Sequence, residues 1–469
     1  MRKLGAVLTV VSTLAPCLAL AQRSALPKVE GPIPATAPLG DQSHDYPYGS
    51  TAHWVGAFGY REDEFFVSGK AIVYKGDGYA LATADTASHA YKTRVMVRRP
   101  LDARRFNGTV ILEFITTSGQ QDQENEWIWT HEHLMRSGYV HVGVSAQARG
   151  VNAVPNGLRS WSPRRYGTLD VNRDGTGPVA DDIFAQVAAT LKDPAGSALL
   201  GGLRARNVIA SGHSSSALAL SLFYNGVQQL TRVIDGFVLH GFDVQLRPEV
   251  ETPAVKLLAE LDGETAAVTE FIRSRGLPPG VSASTYSDTQ FVRVWQVAGW
   301  AHAGRDLMDP LRKLFARDFT DRGPVSKCEQ PPPSEVPGHF VQEALYDAMK
   351  RWIEQGVAPP HAPRIQHDGT PPQIVRDRYG IAVGGIRLPQ VAVPVAMNSG
   401  VNSREQSCRI FGAHVPFADS TLVRLYPTHT AYVTAVERAA DDAARAGYIT
   451  QDAAARIVAE AERSNVRRP

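Results

Sequence analysis

Cysteine is scarce in this chain of 469 residues, and neither sign of charge dominates. The three cysteines show no metal-binding spacing, so no zinc site is expected. Lys and Arg number 49 against 47 for Asp and Glu, which gives a formal net charge of +2. A nucleic-acid binder or a protein with a polybasic membrane patch needs a surplus of positive charge that this chain lacks. We therefore expect no nucleic-acid partner.

Long apolar runs are also missing, with one exception at the N-terminus. There Arg2 and Lys3 precede an apolar stretch that ends in Ala19-Leu20-Ala21. This order predicts a secretory signal peptide over 1–21, cleaved after Ala21. The stretch is too short to span a bilayer and nothing similar follows, so we expect no integral membrane segment after signal removal. The expected localisation is the periplasm or the medium.

The three cysteines indicate whether the protein carries a lipid anchor and whether it forms a disulfide. Cys17 stands in a weak imitation of a lipoprotein cleavage site, but Pro16 occupies a place that needs a small flexible residue, so lipid anchoring is disfavoured. Cleavage of the signal removes Cys17 and leaves Cys328 and Cys408. Two thiols in an oxidising compartment favour one disulfide. The alternative is two separate buried thiols.

Hydrophobic periodicity alternates between strand and helix over most of the chain. Strand-like runs at 109–115 and 139–145 flank a helical spacing at 125–138, which indicates a strand-helix-strand unit and a parallel sheet. The alternation continues through 206–299, whereas the runs between 64 and 100 follow one another without a helix. The predicted fold class is α/β, a doubly wound and mostly parallel sheet with N-terminal antiparallel strands.

The composition changes after these elements. A proline-rich stretch, CEQPPPSEVPG, is followed by an amphipathic helical pattern, by turn-rich sequence and by a helical hairpin over 429–465. We predict a core over 22–320 and a C-terminal subdomain over 321–469 that packs on it. The predicted disulfide would hold this subdomain.

The segment NVIASGHSSSALALSLFYNG, residues 207–226, has the pattern of a nucleophile elbow. An apolar strand, a turn of small residues and an apolar helix lift one serine onto a sharp corner. Gly212 and Ser216 supply the small residues on either side of Ser214. We predict that Ser214 is a nucleophile and that the amide of Ser215 binds an oxyanion, because a helix N-terminus favours negative charge. A polar turn without chemistry is the alternative.

A serine hydroxyl needs a base, and the order of elements places that base after the last strand of the core. His302 follows the strand FVRVWQVAG among small residues, and an imidazole suits proton transfer near neutrality. The acid should stand between the serine and the histidine, after the strand AVKLLAEL. Asp262 in the turn before Gly263 is preferred, and Glu260 is the alternative acid. The acid would fix the tautomer of His302 and stabilise the imidazolium.

Further residues complete the candidate site. A second oxyanion donor is expected from the loop after the strand TVILEFI, residues 116–119, with Thr117 as the candidate. His213, His240 and Trp300 flank the centre. They either line the substrate pocket or have a packing role.

One stretch imitates a metal site. The sequence DVNRDG at 170–175 is similar to a calcium-binding loop, but Asp181 stands where such a loop needs a bidentate glutamate. No helical pattern precedes Asp170. We therefore predict a solvent-exposed turn there and no metal site.

With these residues in place, the chain resembles the α/β-hydrolase superfamily and, more narrowly, the alpha/beta-hydrolase domain family ten. The likeness covers most of the mature chain, in stretches such as FNGTVILEF, HLMRSGYVHVGVSAQ, SGHSSSA, FVRVWQVAGWAHAG and GGIRLPQVAVPVA. In relatives the residue after the nucleophile is commonly glutamine, whereas here it is Ser215. The resemblance implies a serine ester hydrolase. Its substrate would be a small-molecule or polymeric ester, and the triad chemistry needs no cofactor.

Two other interpretations follow from the same sequence. The triad is equally suited to opening lactones, hydrolysing amides or transferring acyl groups. A protein that kept the fold, lost the activity and serves as a binding scaffold is the alternative of another class. The intact order of serine, carboxylate and histidine argues against that scaffold. Nothing in the sequence indicates an oligomeric state.

Overall fold

The computed structural model describes most of the chain, namely residues 26–171, 178–194, 197–263, 269, 272–273, 276–277, 281–282, 288–319, 328, 331–370, 372–402 and 406–468. The predicted signal peptide over 1–21, Cys17 and most of the calcium-like stretch lie outside the described residues. Among the helices that are described, none is long and apolar enough to cross a lipid bilayer.

A mixed sheet of nine strands lies at the centre of the described structure. In chain order the strands are β1 (Lys28–Glu30), β2 (Tyr60–Lys75), β3 (Thr83–Pro100), β4 (Thr109–Phe114), β5 (Val140–Val144), β6 (Asn207–His213), β7 (Gly236–His240), β8 (Ala254–Leu258) and β9 (Val292–Gln296). Across the sheet their order is β1-β2-β3-β5-β4-β6-β7-β8-β9. The pairings are antiparallel from β1 to β5 and parallel from β5 to β9. The predicted α/β class, with antiparallel strands leading into a mostly parallel sheet, is confirmed.

The chain reverses its direction of winding beside β4. From β4 it crosses to β5 on one side and later to β6 on the other. The carboxyl ends of β4 and β6 therefore lie side by side, with Glu113 paired to Ser211 in the register. In open α/β sheets such a switch point leaves a crevice where ligands bind. Both the bend at Ser214 and the loop 116–119 begin at this edge.

Helices cover both faces of the sheet. In chain order they are α1 (Ala52–Val55), α2 (Asn125–Arg136), α3 (Ala148–Asn152), α4 (Leu158–Trp161), α5 (Pro163–Tyr166), α6 (Ala180–Lys192), α7 (Ser197–Leu200), α8 (Ser215–Gly226), α9 (Gln228–Thr231), α10 (Arg305–Asp318), α11 (His339–Gln355), α12 (Pro389–Ala392), α13 (Asp419–Leu425), α14 (His429–Arg445) and α15 (Gln451–Arg463). Short 3-10 turns lie at Gly56–Phe58, Ala103–Arg105, Leu261–Gly263 and Gln406–Phe411.

Successive side chains of the parallel strands enter two apolar cores, one on each face of the sheet. From β4, Val110 and Leu112 enter the first core, where they meet α6 and α8, while Ile111 enters the second. The second core is completed by α2 and α11. Burial on both faces explains why these strands are nearly continuous apolar runs in the sequence.

The chain after residue 331 also packs into the second core. Ile365, Ile386 and Leu388 lie there, and so do Val436 and Ile457 of the helical hairpin α14–α15. Two small antiparallel sheets belong to this region, β10 (His367–Asp368) with β11 (Gln373–Ile374) and β12 (Ala396–Ser399) with β13 (Ala413–Pro416). The predicted disulfide between Cys328 and Cys408 is present.

Replacement of both bonded cysteines by serine should lower the stability of the protein. The disulfide joins residues with a sequence separation of 80. The chain-entropy treatment predicts a loss of about 4 kcal/mol for a loop of roughly this size. We expect the Cys328→Ser/Cys408→Ser variant to unfold at a lower guanidinium midpoint than the wild type. With a thiol reductant present the two proteins should unfold at the same midpoint, and equal midpoints without reductant would contradict the prediction.

Candidate active site

Ser214 stands on a sharp backbone bend between β6 and α8. Its φ of 61° and ψ of −124° lie in a region that residues with a Cβ atom rarely adopt. The Ser214 amide donates to the His240 carbonyl at 2.9 Å, and the Ser214 carbonyl accepts from the Leu218 amide at 3.2 Å. These bonds hold the bend, so the hydroxyl leaves the sheet beside the unpaired amides of the first turn of α8.

The small residues around the bend have a steric reason. A Cβ atom on Gly212 would lie 3.0 Å from Ser216 Cβ and 3.1 Å from Leu220 Cδ1. Ser216 is itself fully buried. Neither position therefore has room for a larger side chain, as the elbow pattern requires.

The structure brings Ser214, His302 and Asp262 together from three different parts of the sheet edge. His302 Nε2 lies 3.0 Å from Ser214 Oγ, and His302 Nδ1 lies 2.7 Å from Asp262 Oδ1. Asp262 and His302 are buried, while Ser214 is partly exposed. Both ring nitrogens of the imidazole thus have hydrogen-bond partners, and the oxygen at the open end of the series can reach solvent.

The two candidate acids have different partners. Asp262 lies in the turn after β8, where its Oδ2 accepts the amide of Ala259 at 2.9 Å and its Oδ1 faces His302. Glu260 turns instead to the backbone of the loop that carries His302, where its Oε2 accepts the Gly299 amide at 2.8 Å. Its Oε1 accepts a hydrogen bond from Arg376. The geometry therefore places Asp262 against the imidazole and Glu260 against the main chain.

The loop 116–119 lies against the start of α8. The Thr116 hydroxyl is 3.0 Å from Ser215 Oγ, and the Ser118 hydroxyl is 3.1 Å from it. The Thr116 amide is already used, since it donates to the Gln123 carbonyl at 3.2 Å. Among the described residues the amides of Thr117, Ser118 and Gly119 have no acceptor, so all three are available as donors in this loop.

A row of packed aromatic rings, here called the wall, lies behind His302 and consists of His213, His240 and Trp300. The His213 ring centroid lies 4.4 Å from that of His302 and 4.5 Å from that of His240. His240 stacks on Trp300 at 4.7 Å, and Trp129 packs against both. All are buried, so these side chains support the imidazole from the rear rather than lining an open surface.

Burial also changes the pKa of one histidine in this wall, His213. It lowers the pKa of His213 well below its usual range, and the neighbouring His302 and His240 lower it further. His213 is therefore neutral at neutral pH. Asp262 is then the acidic group in hydrogen-bond contact with the His302 ring.

Behind the wall lies a group of buried carboxylates that the sequence analysis did not identify. Glu126 is fully buried, and its oxygens accept hydrogen bonds from Ser211, Gln342 and Tyr346. Its Oε1 lies 3.2 Å from His240 Nδ1, so it orients the ring that stacks against Trp300. The pattern of α2 hid this role, because a polar residue in an amphipathic helix normally faces water.

Glu113 is the one charged residue in the apolar run of β4, and that was the signal available in the sequence. It accepts the amides of Glu126 and Trp127 at 3.0 and 3.2 Å, which caps the N-terminus of α2. Burial, together with the neighbouring Glu124 and Glu126, raises the pKa of Glu113 well above its usual range. Its role is to fix α2 against the sheet.

Glu113, Glu124 and His141 have ligand atoms close enough to share a metal ion. A cation already lies among them, because Arg98 donates to both oxygens of Glu124 and, at 3.3 Å, to His141 Nδ1. His141 Nε2 in turn donates to Glu113 at 2.9 Å. The guanidinium thus satisfies these groups, and we assign them a structural role.

Comparison with known proteins matches the chain to a hydrolase family. A family model described as an alpha/beta hydrolase domain matches residues 29–459. No significant match is found among curated proteins.

Solved structures with similarity to the chain include a thermostable esterase from Pseudomonas putida, at 13% identity over 54% of this chain and 80% of that chain, with a TM-score of 0.28. A serine hydrolase without lid from Xanthomonas campestris has 10% identity over 53% of this chain and 91% of that chain, with a TM-score of 0.27. An esterase from Rhizomucor miehei has 11% identity over 54% and 71%, with a TM-score of 0.25. Likeness at this level carries no argument about substrate.

The strained bend predicts an unusual effect of glycine. Ser214→Gly should raise the free energy of unfolding by about 1 kcal/mol relative to Ser214→Ala, because glycine adopts a positive φ without steric cost. The two variants lose the same hydroxyl, so the comparison isolates the backbone. Thermal unfolding of both measures the difference. A glycine variant no more stable than the alanine variant would contradict the assignment of strain.

Proposed function

The chain belongs to the alpha/beta hydrolase domain family that matches residues 29–459, and we propose that it is a serine hydrolase which cleaves carboxylic esters. The observation that carries this proposal is the series of hydrogen bonds from Ser214 Oγ through the His302 ring to Asp262. A nucleophile, a base and an orienting acid in this order are what an acyl-enzyme mechanism requires.

In the first half-reaction, Ser214 Oγ attacks the ester carbonyl carbon while His302 Nε2 takes the hydroxyl proton. The distance of 3.0 Å between these atoms is within range for direct transfer. Asp262 keeps the other proton on Nδ1 and stabilises the imidazolium. His302 then gives the proton to the alcohol oxygen, so the alcohol leaves and the acyl group stays on Ser214.

The charge that develops on the carbonyl oxygen is bound by backbone amides. Ser215 contributes one at the N-terminus of α8, and we assign the second to Thr117. A donor of this kind contributes about 3 to 4 kcal/mol to transition-state stabilisation. The hydroxyl contacts of Ser215 with Thr116 and Ser118 support this role, because they tie the loop to the helix.

In the second half-reaction, a water molecule attacks the acyl carbon while His302 takes its proton. The carboxylic acid is released as His302 returns the proton to Ser214 Oγ. Each step uses groups of the chain and water, and the substrate is a small-molecule or polymeric ester.

We further propose that the protein is exported, because its disulfide would persist in an oxidising compartment.

Ser214→Ala should abolish covalent labelling by a fluorophosphonate and lower ester hydrolysis by about 10⁴-fold or more, because the attacking oxygen is gone. Ser282→Ala is the matched control, since Ser282 also stands two residues after a glycine and two before a serine, but in no strand or helix. It should label fully. Label that persists in Ser214→Ala would exclude Ser214 as the nucleophile, and a folded wild type that neither labels nor hydrolyses would favour a binding scaffold.

A panel of p-nitrophenyl esters of increasing chain length, lactones and polymeric esters then assigns the substrate class.

Asp262→Asn should lower kcat by about 10⁴-fold with little change in KM, since an amide can hold the wrong imidazole tautomer. Steady-state hydrolysis of p-nitrophenyl butyrate measures both constants. Asp309→Asn, at an exposed carboxylate on α10, is the control and should behave as the wild type. A kcat within tenfold of the wild type in Asp262→Asn would exclude Asp262 as the triad acid.

A further inference from the structure

The loop that carries His302 joins β9 to α10 and comprises residues 297–304, here called the histidine loop. It forms neither helix nor strand, so its conformation depends on contacts with other elements. Three of its hydrogen bonds come from the chain after residue 331, through Ser334, Ile386 and Ile410. The position of the imidazole relative to Ser214 therefore depends on a distant part of the sequence.

On one side, Glu260 forms two hydrogen bonds with the main chain of the histidine loop. Its amide donates to the Trp300 carbonyl at 3.0 Å, and its Oε2 accepts the Gly299 amide at 2.8 Å. These bonds fix the backbone immediately before His302. Gly299 has a φ of 74°, and a Cβ atom there would lie 3.0 Å from Val391 Cγ2 of the C-terminal region.

The Glu260 carboxylate is fully buried and is held by C-terminal side chains. Arg376 donates to its Oε1, and the Ser399 hydroxyl donates to the same oxygen at 3.3 Å. Arg376 is itself anchored, since it also donates to the Gly380 carbonyl at 3.1 Å. A buried carboxylate requires such a partner, because an unpaired charge inside a protein is strongly destabilising.

The other side of the histidine loop is held by the disulfide-linked segments. The amide of Ala303, directly after His302, donates to the Ile410 carbonyl at 2.8 Å. Ile410 lies in the 3-10 turn Gln406–Phe411, which contains the bonded Cys408. On the N-terminal side of the same region, the Ser334 hydroxyl donates to the Gly299 carbonyl at 2.6 Å.

From these contacts, and on the basis of the proposed function, we infer that Glu260 and Arg376 are positioning residues for the catalytic imidazole. Glu260 transmits the position of the C-terminal region to the histidine loop, and Arg376 keeps that carboxylate oriented. A shift of about 1 Å in a reacting group lowers a rate by up to about 10²-fold. The two carboxylates of one turn thus have different roles. Asp262 contacts the ring of His302, and Glu260 holds the main chain just before it.

The test compares four variants with the wild type, each as the full chain. Arg376→Met removes the charge and keeps the aliphatic stem, Arg376→Lys keeps a charge, Glu260→Gln removes the carboxylate, and the double variant Glu260→Gln/Arg376→Met removes both. Arg378→Met is the matched control, because Arg378 is exposed and stacks on Tyr379. The readouts are kcat and KM for p-nitrophenyl butyrate, the rate constant of fluorophosphonate labelling and the thermal midpoint.

We expect Arg376→Met to lower kcat by about 10- to 100-fold while KM stays within about twofold, and the labelling rate to fall by the same factor. Arg376→Lys should recover most of the loss, and Arg378→Met should show none. The double variant leaves no unpaired buried charge, so its thermal midpoint should recover towards the wild type while its kcat stays low. This divergence between stability and rate separates positioning from a structural role, and it applies even if Arg376→Met alone fails to fold.

Recovery of kcat together with the thermal midpoint in the double variant would overturn the inference. So would a folded Arg376→Met or Glu260→Gln variant with wild-type kcat. A wild type that shows neither labelling nor ester hydrolysis would overturn the proposed function itself. The two failures are therefore distinguishable.

Discussion

The backbone bend at Ser214 is the constraint on which the rest of the site depends. A φ of 61° at a residue with a side chain is costly by about 1 to 3 kcal/mol, and it persists only where the surroundings enforce it. Here β6 and α8 are both packed into the first core, and their ends meet at the bend. The bend places the hydroxyl beside the amides of α8, so the packing of β6 and α8 holds the proposed nucleophile and oxyanion site in place.

A single bend does not make a site, because the imidazole must be brought to the hydroxyl and held there. That support comes from two directions. Behind His302 the rings of His213, His240 and Trp300 form a rigid wall. At the sides, Glu260 and the disulfide-linked segments hold the main chain of the histidine loop. Together these contacts restrict the movement of the His302 ring.

Buried carboxyl groups recur throughout this support. Glu113 holds α2 against the sheet, Glu126 orients His240, and Glu260 holds the histidine loop. Each is surrounded by donors, which is the condition under which a buried carboxylate is tolerated. Their hydrogen bonds are directional, so they fix distances that apolar packing alone would leave adjustable.

The sequence by itself was sufficient for everything that rests on a local pattern. Periodicity of 2 and 3.6 residues identified the α/β class, and the strand, small turn and helix around Ser214 identified the bend, because both signals are contained within short windows of sequence. Topological order was enough to select His302. The choice between Asp262 and Glu260 was left open, since both follow the same strand. Only the folded chain gives the two carboxylates different partners, because Arg376 lies far away in the sequence and no local pattern encodes which carboxylate it will meet.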